Sequence, residues 1–396
     1  MMKNSTIKVS FSGFDGKQEG EKNRVNYCID LGEKKYDIFF SSPDVELRSN
    51  VEAVIPLALL AGMRLARPIH VHGVVSQSFI EGVRQVVDLF AKSFEELSPI
   101  EISADEYVDS SQGSEQRIGC FFSGGVDSFY TLLKMKEQIT DLIVVHGFDF
   151  KVADTHRASE VSRNVHAIAD CLGKRVYEVT CNPHQVLEDF GEWGKHGHGF
   201  ALMAVGRTLS EYLDTIVVPG SFSLAQQKPW GSWLKSDPLF SDASLSVVHH
   251  ADCSERIDKT SFIAEDPMVQ KYLRVCWKNV AGAYNCGECE KCLRTMTSLE
   301  ILGVRKRFQT FPQKWSPTMV AAVEHEVAGV KIFARENLEC MRRLGYKNRA
   351  LQLALLVQLY RPIFFVRFKN KWRRRFKRIK RHWHRLVHGK ASSSSR

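Results

Sequence analysis

With 396 residues, 44% apolar and 25% charged, the chain has enough material for two or three domains with sizeable cores, and its composition excludes a disordered or fibrous protein. No uninterrupted apolar run reaches the roughly 18 residues of a spanning helix, and the opening Met-Met-Lys-Asn-Ser-Thr-Ile-Lys lacks the apolar core of a signal peptide, so a cytoplasmic protein is expected. The net charge of +10 is unevenly placed: residues 340–396 hold 18 Lys or Arg and no Asp or Glu, which leaves the first 339 residues with a net −8.

In chain order, strand-like runs at 7–12, 26–31 and 36–41 are separated by turn residues and predict antiparallel pairing. Helical spacing follows over 51–65 and 79–94, with a strand between them at 68–75. Residues 1–113 thus read as a small α+β accessory domain without a catalytic motif. A polar linker at 109–115 opens a central domain, in which strands are expected at 119–123, 141–148, 175–180, 214–220 and 245–250. Helices are expected between them at 157–172 and 200–213. Strands alternating with helices over such long crossovers predict a doubly wound parallel sheet, with ligands beyond the C-terminal strand ends. Residues 221–242 form a long loop after one such end. This loop is a candidate for substrate recognition, with Trp230 or Trp233 as a stacking face or as a pin to the core.

The densest chemistry lies at 118–133. A short apolar strand runs into Ser123-Gly124-Gly125-Val126-Asp127-Ser128, and Phe129, Leu132 and Leu133 follow at helical spacing. A strand, a glycine turn and a helix N-terminus aim backbone N–H groups at one point and suit a phosphate. The hydroxyls of Ser123 and Ser128 add donors, and Asp127 reads as a ligand or close partner of Mg²⁺. The Lys-Ser/Thr of a Walker loop is missing; Phe129-Tyr130 stand there.

The second dense region is Cys276, Cys286, Cys289 and Cys292, in C-x9-C-x2-C-x2-C spacing. Four thiolates suit a tetrahedral Zn²⁺; an iron–sulfur cluster is the alternative. Arg256 and Lys259, in Ser-Glu-Arg-Ile-Asp-Lys-Thr, are candidates to stabilise phosphoryl transfer, or else a solvated helix start. His196 and His198 are candidate phosphate donors or proton relays.

The Ser-Gly-Gly-Val-Asp-Ser turn resembles the PP-loop of the N-type ATP pyrophosphatases. Together with Cys276, Cys286-Gly287, Cys289, Cys292 and Leu293-Arg294, it resembles the 7-cyano-7-deazaguanine synthase family across about residues 114–305. The resemblance implies an adenine-nucleotide α-hydrolase-like fold. It also implies cleavage of ATP between the α and β phosphates, adenylation of a carboxyl or carbonyl oxygen, and attack by ammonia or an amine. ATP, Mg²⁺ and Zn²⁺ are the implied cofactors, and a small carboxylate, a nucleobase or a protein is the expected acceptor.

The chain departs from that family in several places. His146-Gly147-Phe148 stands in place of an aromatic-Gly-Gln signature, with His146 and Gly147 at the nucleotide-facing position. His196-Gly197-His198-Gly199 and Gly206-Arg207 replace a second glycine-rich segment. Residues 1–113 and 306–396 have no counterpart. Other functions remain open: a tRNA-modifying sulfur transferase, or a non-catalytic nucleotide-binding protein. In the tail, Phe365, Phe368, Trp372, Phe376, Ile379, Trp383 and Leu386 form one stripe of a basic helix. It suits an anionic membrane surface, nucleic acid, or docking on a protein.

Overall fold

The computed structural model describes residues 6–15, 24–109, 116–324, 331–362 and 364. The chain divides into two compact units, 1–279 and 280–396. Most of the linker and of the basic helix predicted from sequence lie outside the described residues.

The first unit begins with β1 (Ile7–Asp15), β2 (Arg24–Asp30) and β3 (Lys35–Ser41), an antiparallel meander. Alternate residues of β2 are fully buried, the period-2 pattern that fixes register. Then come α1 (Ile55–Leu65), β4 (Ile69–Ser76), α2 (Gln77–Ser93) and β5 (Ile102–Val108). Ser76 caps α2 by accepting from the Phe79 N–H. Strands β4 and β5 extend the meander in parallel from β1.

The remainder comprises β6 (Ile118–Phe121), α3 (Val126–Lys134), β7 (Asp141–His146), α4 (Thr155–Leu172), β8 (Arg175–Cys181), α5 (His184–Phe190), α6 (His198–Thr208), β9 (Thr215–Pro219), β10 (Ser246–His250), α7 (Arg256–Ile263) and α8 (Pro267–Tyr272). The ten strands among the described residues join one sheet, in the order β10-β9-β6-β7-β8-β3-β2-β1-β4-β5. The five strands β6–β10 pair only in parallel with one another. The expected parallel region is therefore present, set in a mixed sheet.

Residues 1–113 and the central strands share that sheet. Their join is short: β3 meets β8 antiparallel through Phe40–Cys181 and Ser41–Thr180. One apolar cluster also runs through both, from Val9, Tyr27 and Leu59 to Val179, Phe200 and Ile216. The alternate residues Cys120, Leu142, Val144 and Val217 are buried on the other side, where α3 and α4 pack on the strands. With both faces covered, the strands read as near-continuous apolar runs.

The strand order places the crevice. The chain steps from β6 to β7 to β8 and then returns to β9 on the opposite side of β6. Loops leaving β6 and β9 diverge at this reversal, where open α/β sheets hold their ligands.

The second unit is helical: α9 (Glu290–Ile301), α10 (Pro317–Ala322), α11 (Ile332–Arg343) and α12 (Arg349–Tyr360). Arg294 stacks 3.9 Å over Phe333, and the Ser298 hydroxyl donates to the Asn337 side chain at 2.9 Å. On α12, Leu353, Val357 and Tyr360 are exposed. Among the described residues, no helix is long and apolar enough to cross a membrane.

Candidate functional site

The glycine turn after β6 folds as its residue types require. Gly124 has φ +71°, a left-handed conformation that a side chain would strain. Its carbonyl accepts from the Arg274 N–H at 2.8 Å, which ties the turn to the segment after α8. Gly125 is the N-cap of α3 and offers no capping side chain, whereas α4 and α8 are capped by Asp154 and Asp266. The first turn of α3, at Val126, therefore starts beside the crevice without the usual carboxylate or hydroxyl over its N–H groups. The Ser123 side chain is exposed there. Ser128 is buried, and its hydroxyl turns back to donate to the Gly125 carbonyl at 3.0 Å rather than facing the turn.

Asp127 is the hub. Its carboxylate accepts from Arg256 at 2.6 Å and from the Ser221 hydroxyl at 3.2 Å, and the Lys259 ammonium lies 3.8 Å away. Arg256 and Lys259 sit three residues apart on α7, so one helix face delivers both. They are no solvated helix start: their side chains are 12% and 2% exposed. Lys259 donates to the Gly220 carbonyl at 2.6 Å, just past β9, so the end of that strand fixes the cation beside Asp127. One carboxylate thus faces two cations beside a helix N-terminus, an arrangement with a surplus of positive charge.

Tyr130, one turn along α3, backs this arrangement. Its hydroxyl donates to Asp252 and lies 2.8 Å from the Ser254 hydroxyl, and its ring lies 5.5 Å from the Lys259 ammonium. Burial, then the Asp252 carboxylate, pushes the phenol up to about 12, so it stays a neutral donor. Burial works against the Asp252 charge, but hydrogen bonds from Tyr130 and Ser254 hold its pKa below the ordinary range. His250 lies 2.8 Å from the Thr131 hydroxyl, and burial lowers its pKa.

Residue type and spacing alone do not single out Ser221 or Tyr130. Ser221 was only the first residue of a long loop, and Tyr130 stood where a different phosphate loop would carry a hydroxyl.

Other expected residues fall elsewhere. The His146 ring is buried and lies 2.6 Å from Glu178, which also engages Ser162 and, at 2.9 Å, His166. Burial raises the Glu178 pKa, but these hydrogen bonds outweigh it and hold the carboxyl at about 2. Gly147, φ +104°, lets the chain pass the Cys181 carbonyl, where a Cβ would come within 2.0 Å. His196 is buried against Glu96 at 3.0 Å and accepts the Glu192 N–H. His198 lies 3.3 Å from the Trp193 carbonyl. Gly206 packs on the end of the Ile216 side chain, which would have to move for a Cβ, and Arg207 is fully buried.

In the 221–242 loop the two tryptophans differ. Trp233 is 6% exposed and pins the loop. Trp230 is half-buried, edge-on to Phe222 at 6.1 Å, with Lys228 4.2 Å above the Phe222 ring. Burial lowers the Lys228 pKa.

The four cysteines converge. The sulfurs of Cys276, Cys286, Cys289 and Cys292 lie within 4.8 Å of one another. The Cys286 and Cys292 sulfurs are 3.9 Å apart. A tetrahedral ion with metal–sulfur bonds of about 2.3 Å would set sulfurs roughly 3.8 Å apart. Cys286 Sγ accepts the N–H groups of Glu288 and Cys289, and Cys289 Sγ accepts that of Cys292. Donors aimed at sulfur stabilise thiolate, the form that binds metal. Gly287, φ +68°, makes the tight turn between Cys286 and Cys289. The buried cluster can hold a metal such as zinc.

No protein-family model, curated protein or solved structure matches the chain.

Proposed function

We propose that this chain splits ATP between its α and β phosphates to adenylate a carboxyl or carbonyl oxygen, and passes the activated group to ammonia or an amine. One observation carries the reading: at the reversal of strand order, an uncapped glycine-rich helix N-terminus meets Arg256 and Lys259. That combination suits the oxygens of a leaving pyrophosphate. An acceptor oxygen attacks the α phosphorus, and the bond to pyrophosphate breaks as the acyl-adenylate forms. The amine then attacks the carbonyl carbon and AMP leaves.

Asp127 in this scheme positions the two cations before the nucleotide arrives. It is also the carboxylate that would hold Mg²⁺, whose charge would offset that of the pyrophosphate. Arg256 and Lys259 already neutralise Asp127, so the ion would have to compete with Arg256 for it. The loop carrying Trp230 leaves β9 beside the cations and is the proposed acceptor wall. The cysteines take an architectural zinc in this reading; metal analysis of colourless protein against a brown iron–sulfur form distinguishes the two.

The test is ATP–pyrophosphate exchange and product analysis with candidate carboxylates and amines. AMP and pyrophosphate are expected; ADP and phosphate with the true substrate would overturn the reading. A second reading, sulfur transfer to a nucleic acid, draws on Cys253. This thiol is exposed in the β10–α7 loop next to Asp252. It requires that C253S abolish thiolation of an RNA substrate while leaving ATP cleavage in place.

A further inference from the structure

Far along the sheet from the glycine turn in strand order, β4 carries His70 and His72 two residues apart. They lie on the face opposite the buried Ile69 and Val71. The neighbouring parallel strand β5 brings Asp105 to the same place, two residues beyond Ser103, the register partner of His70. Asp105 Oδ1 lies 2.8 Å from His70 Nε2, and Asp105 Oδ2 lies 3.5 Å from His72 Nδ1. One donor atom from each residue falls within 4.8 Å of the others.

We propose that His70, His72 and Asp105 form a second metal site, which binds a divalent ion of the Zn²⁺ class. Bonds of about 2.0–2.2 Å from nitrogen and carboxylate oxygen place neighbouring donors roughly 3–3.5 Å apart; the 2.8 Å and 3.5 Å separations to Asp105 bracket that spacing, and small rotations of the three side chains would bring their donors to it. The groups behind the ligands are also in place. The Ser103 hydroxyl is 2.9 Å from His70 Nδ1 and fixes the ring so that Nε2 faces Asp105. The Gly73 N–H donates to Asp105 Oδ2 at 3.0 Å and orients the carboxylate.

Gly73 is able to do so because of its backbone. It has φ +141°, it sits in a register irregularity between Val71 and Val74, and the bend swings its N–H onto the neighbouring strand. Two imidazoles and one carboxylate suit Zn²⁺, Fe²⁺ or Ni²⁺. Asp105 is the one carboxylate of the set, and the other two donors are imidazoles. The site therefore depends on coordination bonds to nitrogen rather than on accumulated negative charge, which disfavours Mg²⁺ and Ca²⁺. The side chains are 30%, 45% and 49% exposed, so an ion can enter from solution and keep water on its open positions. An ion here would tie the edge strand β5 to β4.

The test uses the full chain as purified, with the cysteine site loaded, dialysed against micromolar Zn²⁺. Metal is then counted by mass spectrometry. Wild type should hold one equivalent more than H72Q or D105N, and all three should keep the cysteine-bound metal and their circular dichroism. Zn²⁺ should also shield His70 and His72 from carbethoxylation and raise the melting temperature of wild type but not of D105N. Equal metal content in the three proteins, with no shielding of either histidine, would overturn the site and leave a hydrogen-bonded His–Asp surface cluster.

Discussion

Two charge clusters in the first unit use the same groups in opposite proportion. Arg207 is one cation between two acids, 3.0 Å from Asp242 and 3.4 Å from Glu52. Asp127 is one acid between two cations, Arg256 and Lys259. The Arg207 cluster is closed: its guanidinium also donates to the Ser244 hydroxyl and the Phe240 carbonyl, lies 4.0 Å over the Phe79 ring, and is 1% exposed. Asp127 keeps 17% exposure at a helix end without a cap, between two diverging loops. In the first cluster the charges satisfy each other. In the second, the charges leave a surplus cation, which the proposed function assigns to the leaving pyrophosphate. Composition does not separate a strut from a site; the sign of the surplus and its access to solvent do.

Substitutions sharpen that contrast, beginning with the largest effect. R207A should destabilise the fold by about 3–5 kcal/mol in urea unfolding, because two buried carboxylates lose their partner. A loss below about 1 kcal/mol would mean that Arg207 is not a structural strut. R256A should leave the urea midpoint nearly unchanged and lower ATP–pyrophosphate exchange by roughly 10²–10³-fold, as for loss of a preorganised charge donor. Comparable losses of stability in R207A and R256A would make both clusters structural.

Glu178 supplies a third, closed case with a pH signature. Its pKa falls from 4.5 to about 2 on folding, so its stabilisation is complete above pH 4.5 and disappears as pH drops toward 2. Thermal melts of E178Q should lack that part of the acid limb and converge on wild type at the lowest pH. The smallest effect is expected at Trp230: W230A should raise the KM for the acceptor within tenfold and leave unfolding unchanged, since the ring is half-buried at the loop surface.

Much of this architecture is visible in residue patterns. Strands at 141–146, 175–181 and 246–250 follow from β-branched and apolar runs, and α4 ends where Gly173 takes φ +63°. β5 was missed because Ile102–Val108 is an edge strand with Ile102 alone fully buried, which leaves no alternation to read. The continuity of the sheet was invisible for a different reason. The β3–β8 join is two residue pairs between segments far apart in the chain, and no local pattern encodes it.

Around the site, the glycine turn, Arg256 and Lys259 were legible from residue type and spacing. Their meeting at Asp127 was not, since it depends on β9 lying beside β6. His146, His196 and Arg207 look alike in a sequence whether they face a ligand or a buried carboxylate. Here all three face carboxylates.

The β3–β8 join also sets a schedule for synthesis. Strands β1–β3 pair by local hairpins and can form as soon as they emerge, but β3 acquires its outer neighbour only when Cys181 is made. At ribosomal rates of about 5–20 residues per second, the roughly 140 residues between Phe40 and Cys181 take on the order of 7–30 s. For that interval the nascent chain carries an unsealed edge at Phe39-Phe40, the kind of template that recruits other chains. Slowing translation of residues 42–181 should therefore lower the yield of folded protein.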